Sequence, residues 1–214
     1  MSSVVPSTRP ASGDSLSRVL ASSALAHLIL YFVLHPDGAP HFRGLQRATG
    51  ISSRSLQHEL ARLQELGMIR RERDGKLVRY PRVADHPRWF VFRDLVREFA
   101  EPKTLLRTAL VEVPGVEAAF IYGSFARGQM DEHSDIDIFA LGDSLEESEP
   151  ELALVAGTSE ASVLLGHEVN VTRYTRRKLE TRREGGFLRS VLAGPKEWLV
   201  GSESVLAPLI GGAA

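Results

Sequence analysis

Gly123-Ser124-Phe125-Ala126-Arg127-Gly128, followed after six intervening residues by Asp135-Ile136-Asp137, is the stretch from which the rest of the chain can be read. The apolar run Ala118 to Tyr122 stands ahead of it, so the local order is strand, tight turn, short helix, strand. A Gly-Ser turn offers backbone N–H groups and a hydroxyl to a phosphate, because glycine lets the backbone approach an anion closely. Two aspartates separated by one β-branched residue point to the same face of a strand, since strand side chains alternate. Two carboxylates on one face, opposite a phosphate-cradling turn, make a seat for Mg²⁺ and a nucleoside triphosphate. The bland alternative is an ordinary turn beside a solvated acidic loop, and the fixed spacing of GSFARGQMDEHSDID argues against it.

This arrangement resembles the polymerase-β-type nucleotidyltransferase superfamily, whose signature is Gly-Ser, a short gap with Arg-Gly, then an Asp-x-Asp pair. The resemblance implies that Asp135 and Asp137 are catalytic metal ligands, for two Mg²⁺ ions if the domain is active, and that Gly123 and Ser124 hold the phosphates of an NTP, with ATP the expected one. For Arg127 a phosphate contact and a structural pairing with an aspartate are both open. Asp131, Glu132 and His133 read as solvated loop residues. The family pattern also wants a third carboxylate on a neighbouring strand. Here Val169-Asn170-Val171 puts Asn170 at that place, as a nucleotide-site residue that is neutral and cannot take a proton. Glu168 points to the same face two residues earlier, about 6.6 Å along a strand, a gap its extra methylene only partly covers, and is the candidate substitute for the catalytic carboxylate.

The bulk properties bound the remaining possibilities. A length of 214 residues with 43% hydrophobic side chains suits one large or two small domains with ordinary cores. No run approaches the roughly 20 apolar residues of a membrane span. The first dozen residues lack the basic start and apolar stretch of a signal peptide and read as a disordered tail (residues 1–14). The absence of cysteine excludes disulfides and thiolate zinc sites, in keeping with a cytoplasmic protein. A net charge of −1 conceals two unlike halves: residues 41–90 carry 11 Lys and Arg against 5 Asp and Glu, whereas residues 111–214 carry 9 against 17. The basic half suggests a polyanionic partner, and the acidic half suggests cation-bound chemistry.

In the basic half, Leu16, Leu20, Ala24, Leu28 and Phe32 recur at a spacing of four, predicting one amphipathic helix from about Ser15 to His35. Phe42, Leu45 and Ala48 suggest a second helix closing at Thr49-Gly50. A third follows, capped near Ser52, with Leu56, Leu60 and Leu63 on its buried face up to Gly67. Met68 to Arg73 and Lys76 to Tyr80 then read as two strands joined at Asp74-Gly75. Helix, turn, helix and basic hairpin make a winged helix over residues 15–86, and the segment looks like the winged-helix domains of arsenic-repressor-type regulators. In such a module Ser53, Arg54, Gln57 and His58 would enter the major groove of double-stranded DNA, with Arg62 nearer the phosphates and Arg70, Arg71, Arg73, Lys76 and Arg79 on the wing holding the backbone. Such modules also serve protein interaction, and an arginine-rich hairpin can be merely solvated. The positive balance favours DNA. A homodimer through the apolar first helix follows from the resemblance.

Residues 87–112 read as a helical connector: Pro87 to Ala100, rich in Trp89, Phe90, Phe92 and Phe99, and then Lys103 to Val111. Residues 113–214 form the transferase-like domain: strands at Val116 to Tyr122, Ile136 to Leu141 and His167 to Thr172, an acidic loop from Ser144 to Pro150, and a helix from Glu151 to Leu165. A very basic helix from Thr175 to Arg183, a helix from Phe187 to Leu192 and a short strand Trp198 to Val200 complete it. The fold class expected is α+β, a winged helix-turn-helix followed by a nucleotidyltransferase-type mixed α/β domain with a small central sheet. Two functions compete: an NMP transfer to a hydroxyl on an unknown acceptor, located by the DNA-binding module, or a DNA-binding regulator whose transferase-like domain senses nucleotide or binds a protein partner without turnover. A toxin–antitoxin role is a subordinate version of either, suggested by the family's frequent company alone.

Overall fold

The computed structural model describes residues 15–131, 134–182 and 185–210. Glu132, His133, Arg183 and both tails lie outside the described residues.

Where the apolar spacing predicts one first helix there are two, α1 (Ser15–Leu20) and α2 (Ser23–Leu34). The chain breaks at Ala21, at φ 51°, and the reason is Ser22. Its hydroxyl accepts the Leu25 N–H at 3.1 Å and donates to Glu59 at 3.0 Å. An N-cap of this kind contributes about 1 kcal/mol. It also gives a partner to Glu59, which is only 5% exposed, and a buried carboxylate without donors is costly. α2 is buried over most of its length from Leu25 to Leu34. Its apolar residues are thus used inside the chain.

α3 (Phe42–Thr49) ends at the left-handed Gly50, and α4 (Ser53–Glu65) starts under the Ser52 cap, as the spacing predicts. The hairpin strands are shorter than expected: β1 (Glu72–Asp74) and β2 (Leu77–Arg79). Asp74 pairs with Leu77, so the two-residue turn is Gly75-Lys76 rather than Asp74-Gly75. Below the ladder, pairing becomes irregular because Pro81 has no N–H to donate; its carbonyl still accepts from Arg70, and Ile69 bridges to Arg82. His41 bridges to Arg79 on the outer side of β2.

Two helices follow, α5 (Arg88–Phe99) and α6 (Pro102–Leu110). Then come β3 (Ala118–Tyr122), the single turn α7 (Gly123–Ala126), β4 (Ile136–Leu141), α8 (Ser148–Leu165) and β5 (Val169–Tyr174). The chain closes with α9 (Arg176–Arg182), α10 (Gly186–Ala193), β6 (Glu197–Val200) and α11 (Glu203–Ile210). α8 begins inside the expected acidic loop, since Glu149, Pro150 and Glu151 suit a helix's first turn. α11 is absent from the sequence reading: it is short, contains Pro208, and is held by the burial of Leu206 and Leu209.

The main sheet has the order β5-β4-β3-β6, with β4 and β5 parallel and the other pairs antiparallel. One face carries Ala119, Ile121, Ile136, Ile138 and Ala140 into a core that also contains α2, Leu60, Trp89, Val96, Leu106 and Leu154. The other carries Ala118, Phe120, Tyr122, Phe139 and Leu141 beneath Leu179, Leu188 and Leu206 of the C-terminal helices. The N-terminal helices and the sheet therefore share one continuous apolar cluster. Among the described residues, no helix is long and apolar enough to cross a membrane.

Two features of this packing yield predictions. Gly157 on α8 faces α6 so closely that a Cβ would stand 2.6 Å from the Ala109 carbonyl oxygen. Helix propensity alone says Gly157→Ala gains about 1 kcal/mol; overpacking against backbone costs about 1–3 kcal/mol. The variant is expected to melt below the wild type, and an unchanged or higher Tm would show that the contact is not tight. His35 is the second case. Its Nε2–H donates to the Thr108 carbonyl at 3.0 Å, and burial pushes its pKa down despite that bond and the Glu112 charge. The folded state therefore prefers the neutral ring, and stability present above the ordinary histidine pKa of about 6.5 is lost as pH falls from there toward the depressed value. Thermal melts from pH 7.5 down to 5 should show that loss in the wild type and a smaller one in His35→Gln.

Candidate active site

β4 places the site. Its residues Ile138 to Leu141 are buried, and the strand emerges at its N-terminal end through Asp137 and Asp135. Asp137 lies opposite Tyr122 on β3 and opposite Asn170 on β5, so three neighbouring strands bring these residues into one row. Strand alternation puts Asp135, Asp137, Glu168, Asn170, Thr172 and Tyr122 on the face that carries Phe120 and Phe139.

Gly123, immediately after Tyr122, has φ 74°, a conformation that L side chains rarely adopt. A Cβ at this position would lie 2.9 Å from Asp137 Oδ2. The Gly-Ser turn therefore closes directly over the carboxylate, with the first N–H groups of α7 lacking helical partners. Ser124 is half-buried at the turn. Burial, and then the Asp135 charge beside it, push the Asp137 carboxyl above the usual carboxylate range. Asn170 reaches across the row, its Nδ2 donating to Asp135 Oδ2 at 3.4 Å.

Two carboxylates whose ionisation opposes each other are an ordinary seat for Mg²⁺ held together with substrate phosphates and water. The donor set fits one ion so held. Asn170 supplies a neutral amide where a second ion would need a carboxylate. Glu168 is exposed just ahead of β5, its carbonyl accepting the Ile136 N–H at 2.8 Å, and no group of three His, Cys, Asp or Glu side chains placed to hold a metal occurs among the described residues.

Arg127 is exposed beside the turn, where its Nε donates to Gln129 Oε1 at 3.1 Å. Asp131 is an exposed loop residue, as read, and accepts from Ser134 Oγ at 2.8 Å. The sequence marks His167 only as a strand residue; its Nδ1–H donates to the Ser134 carbonyl at 3.0 Å and so fixes the loop that delivers Asp135. Tyr122 was read as the end of a core strand. Its hydroxyl meets Thr172 Oγ1 at 3.2 Å, beside Asp137, and burial is the main cause that raises its pKa. No sequence spacing signals either contact, because each joins residues distant in the chain. The basic α9 spends its first cations on ion pairs at the other end of the sheet: Arg176 with Glu117, and Lys178 with Glu146.

In the N-terminal half, Ser53, Arg54, Gln57, His58 and Arg62 all lie exposed on α4, while Leu56, Leu60 and Leu63 are buried beneath. Ser53 accepts from Gln46 Nε2 at 2.9 Å, linking α3 to α4, and Arg62 pairs with Glu59 at 3.6 Å. Arg70, Arg71, Arg73 and Lys76 are exposed on the hairpin or its stem. Arg79 differs: its guanidinium is committed to Asp74 at 3.0 Å and to the Ala39 carbonyl at 3.1 Å, which holds the hairpin in shape.

Comparison with known proteins agrees with the geometry of the acidic half. No curated protein gives a significant match. A solved structure described as "Crystal structure of the toxin-antitoxin with AMP-PNP" is similar at 15% identity, covering 51% of this chain and 81% of that chain with a TM-score of 0.35, a likeness too slight to carry function. Residues 105–184 match the family model "Polymerase beta, Nucleotidyltransferase". That span contains α7 and all three strands that build the site, and it is a nucleotidyltransferase-type domain.

Proposed function

We propose that this chain is a Mg²⁺-dependent nucleotidyltransferase that moves NMP from an NTP, ATP first among them, to a hydroxyl acceptor, and that an N-terminal winged helix-turn-helix delivers it to duplex DNA. The observation that carries the enzymatic reading is the closure of the Gly123 turn over Asp137, with Asp135 and Asn170 beside it. Asp135 and Asp137 would hold Mg²⁺, whose chemistry there is to neutralise phosphate charge. The N–H groups of the turn and the Ser124 hydroxyl would donate to the terminal phosphates. His167, through the Ser134 carbonyl, keeps the loop ahead of Asp135 in place.

Asn170 supports a second reading, in which the domain binds nucleotide as a sensor. An amide can orient Asp135 but cannot accept the acceptor's proton, so the nucleophile lacks a base at that position. Glu168, exposed and two residues away, offers little in its place. Incubation with α-labelled ATP, Mg²⁺ and fractionated acceptors separates the two. The transferase reading expects Mg²⁺-dependent label, lost in Asp135→Ala and Asp137→Ala, and at least a ten-fold gain in Asn170→Asp. Nucleotide binding with no transfer by either wild type or Asn170→Asp would leave the sensor.

The winged helix is supported by the order of α2, α3, α4 and the hairpin, with His41 bridging to Arg79, and by the exposed face of α4. Arg70, Arg71, Arg73 and Lys76 are the phosphate contacts, and Arg79 shapes the wing. Each phosphate contact contributes about 1 to the salt slope of binding. Replacing Arg70, Arg71 and Arg73 by Ala should therefore weaken duplex binding and lower that slope by about 3, measured by fluorescence anisotropy across a salt series. An unchanged slope would refute the wing assignment.

A further inference from the structure

We propose that Phe187 is the platform on which the base of the bound nucleotide stacks, an inference that rests on the nucleotide-binding reading of the Asp135–Asp137 site. Phe187 stands on the first turn of α10, directly after Gly185-Gly186. Its helix neighbours Leu188 and Val191 are buried under the sheet, whereas Phe187 itself is 53% exposed. A large aromatic side chain half in water, on a helix that buries other apolar residues, contributes little to the fold where it stands.

Its position gives it a use. The ring meets Tyr122 edge-on, with centroids 6.1 Å apart and planes at 77°. Tyr122 is the residue that precedes Gly123 and pairs with Asp137, and its hydroxyl is held by Thr172. Phe187 is therefore one aromatic ring away from the Asp137 row and the Gly123 turn beside it, on the same face of the sheet. An edge-to-face contact with a fixed neighbour orients a ring while leaving a broad face open. A flat apolar surface at the rim of a polyanion site is what a nucleobase needs, because phosphate contacts position a nucleotide and leave its base exposed. A stacking surface accepts any base by its π-face. It ranks bases by area, so purine nucleotides should bind more tightly than pyrimidine ones.

Calorimetric titration of the full chain with ATP, CTP and inorganic tripolyphosphate, each with Mg²⁺, tests this. Phe187→Ala is expected to weaken ATP about ten-fold or more, to shrink the difference between ATP and CTP, and to leave tripolyphosphate unchanged; Phe187→Trp should restore ATP binding and add a fluorescence quench absent from the wild type. Asp137→Ala is expected to weaken all three ligands. If wild type and Phe187→Ala bind ATP equally, the stacking role is overturned while the phosphate site stands. Equal weakening of ATP and tripolyphosphate in Phe187→Ala would make the residue structural and overturn the role as well. If the wild type binds neither, the nucleotide site itself fails and the platform with it.

Discussion

The carboxylate of Asp137 occupies the space that a side chain on residue 123 would fill. A charged group at the mouth of a buried strand is costly unless something stabilises it, and here the nearest neighbours are a glycine turn and a second aspartate. The remainder of the acidic half serves that juxtaposition. β3 and β5 flank β4 so that Tyr122 and Asn170 stand on either side of Asp137. His167 and Ser134 hold the approach to Asp135. The helices on the opposite face bury Ile136 and Ile138, which fixes the alternation that turns both aspartates outward.

The N-terminal half is joined to this sheet by more than a tether. α2 is wrapped by its own chain, and its apolar residues belong to the same cluster as the back of the sheet. The composition divides the chain into a basic and an acidic half, yet the packing does not divide it at Pro87. The helices expected to be a connector are part of the core, through Trp89, Val96, Leu105 and Leu106.

The parts legible in the sequence are those governed by local rules. The Gly-Ser turn, the Asp-x-Asp alternation, the Ser52 cap and the Gly50 stop each depend on a few neighbouring residues, and each stands where the spacing puts it. What was missed depends on distant partners. Spacing in fours runs unbroken through residue 22, where Ser22 caps α2 and its hydroxyl is held by Glu59, buried far along the chain. α11 has a weak period and an internal proline, and the surface under it supplies its reason to be helical. The place of Asn170 beside the carboxylates could be read only by resemblance; that it pairs with Asp137, and that Glu168 is exposed, required the fold.

The strand order has a consequence for how the molecule assembles. β6 comes late in the sequence, yet it pairs with β3, the strand that leads into the Gly-Ser turn. Pairing β6 with β3 must wait for a long loop to close. Until β6 arrives, β3 presents a bare edge of unpaired N–H and C=O groups next to apolar side chains, the kind of surface on which chains associate wrongly. The same strand that carries the turn over Asp137 therefore relies on β6 to cover its edge.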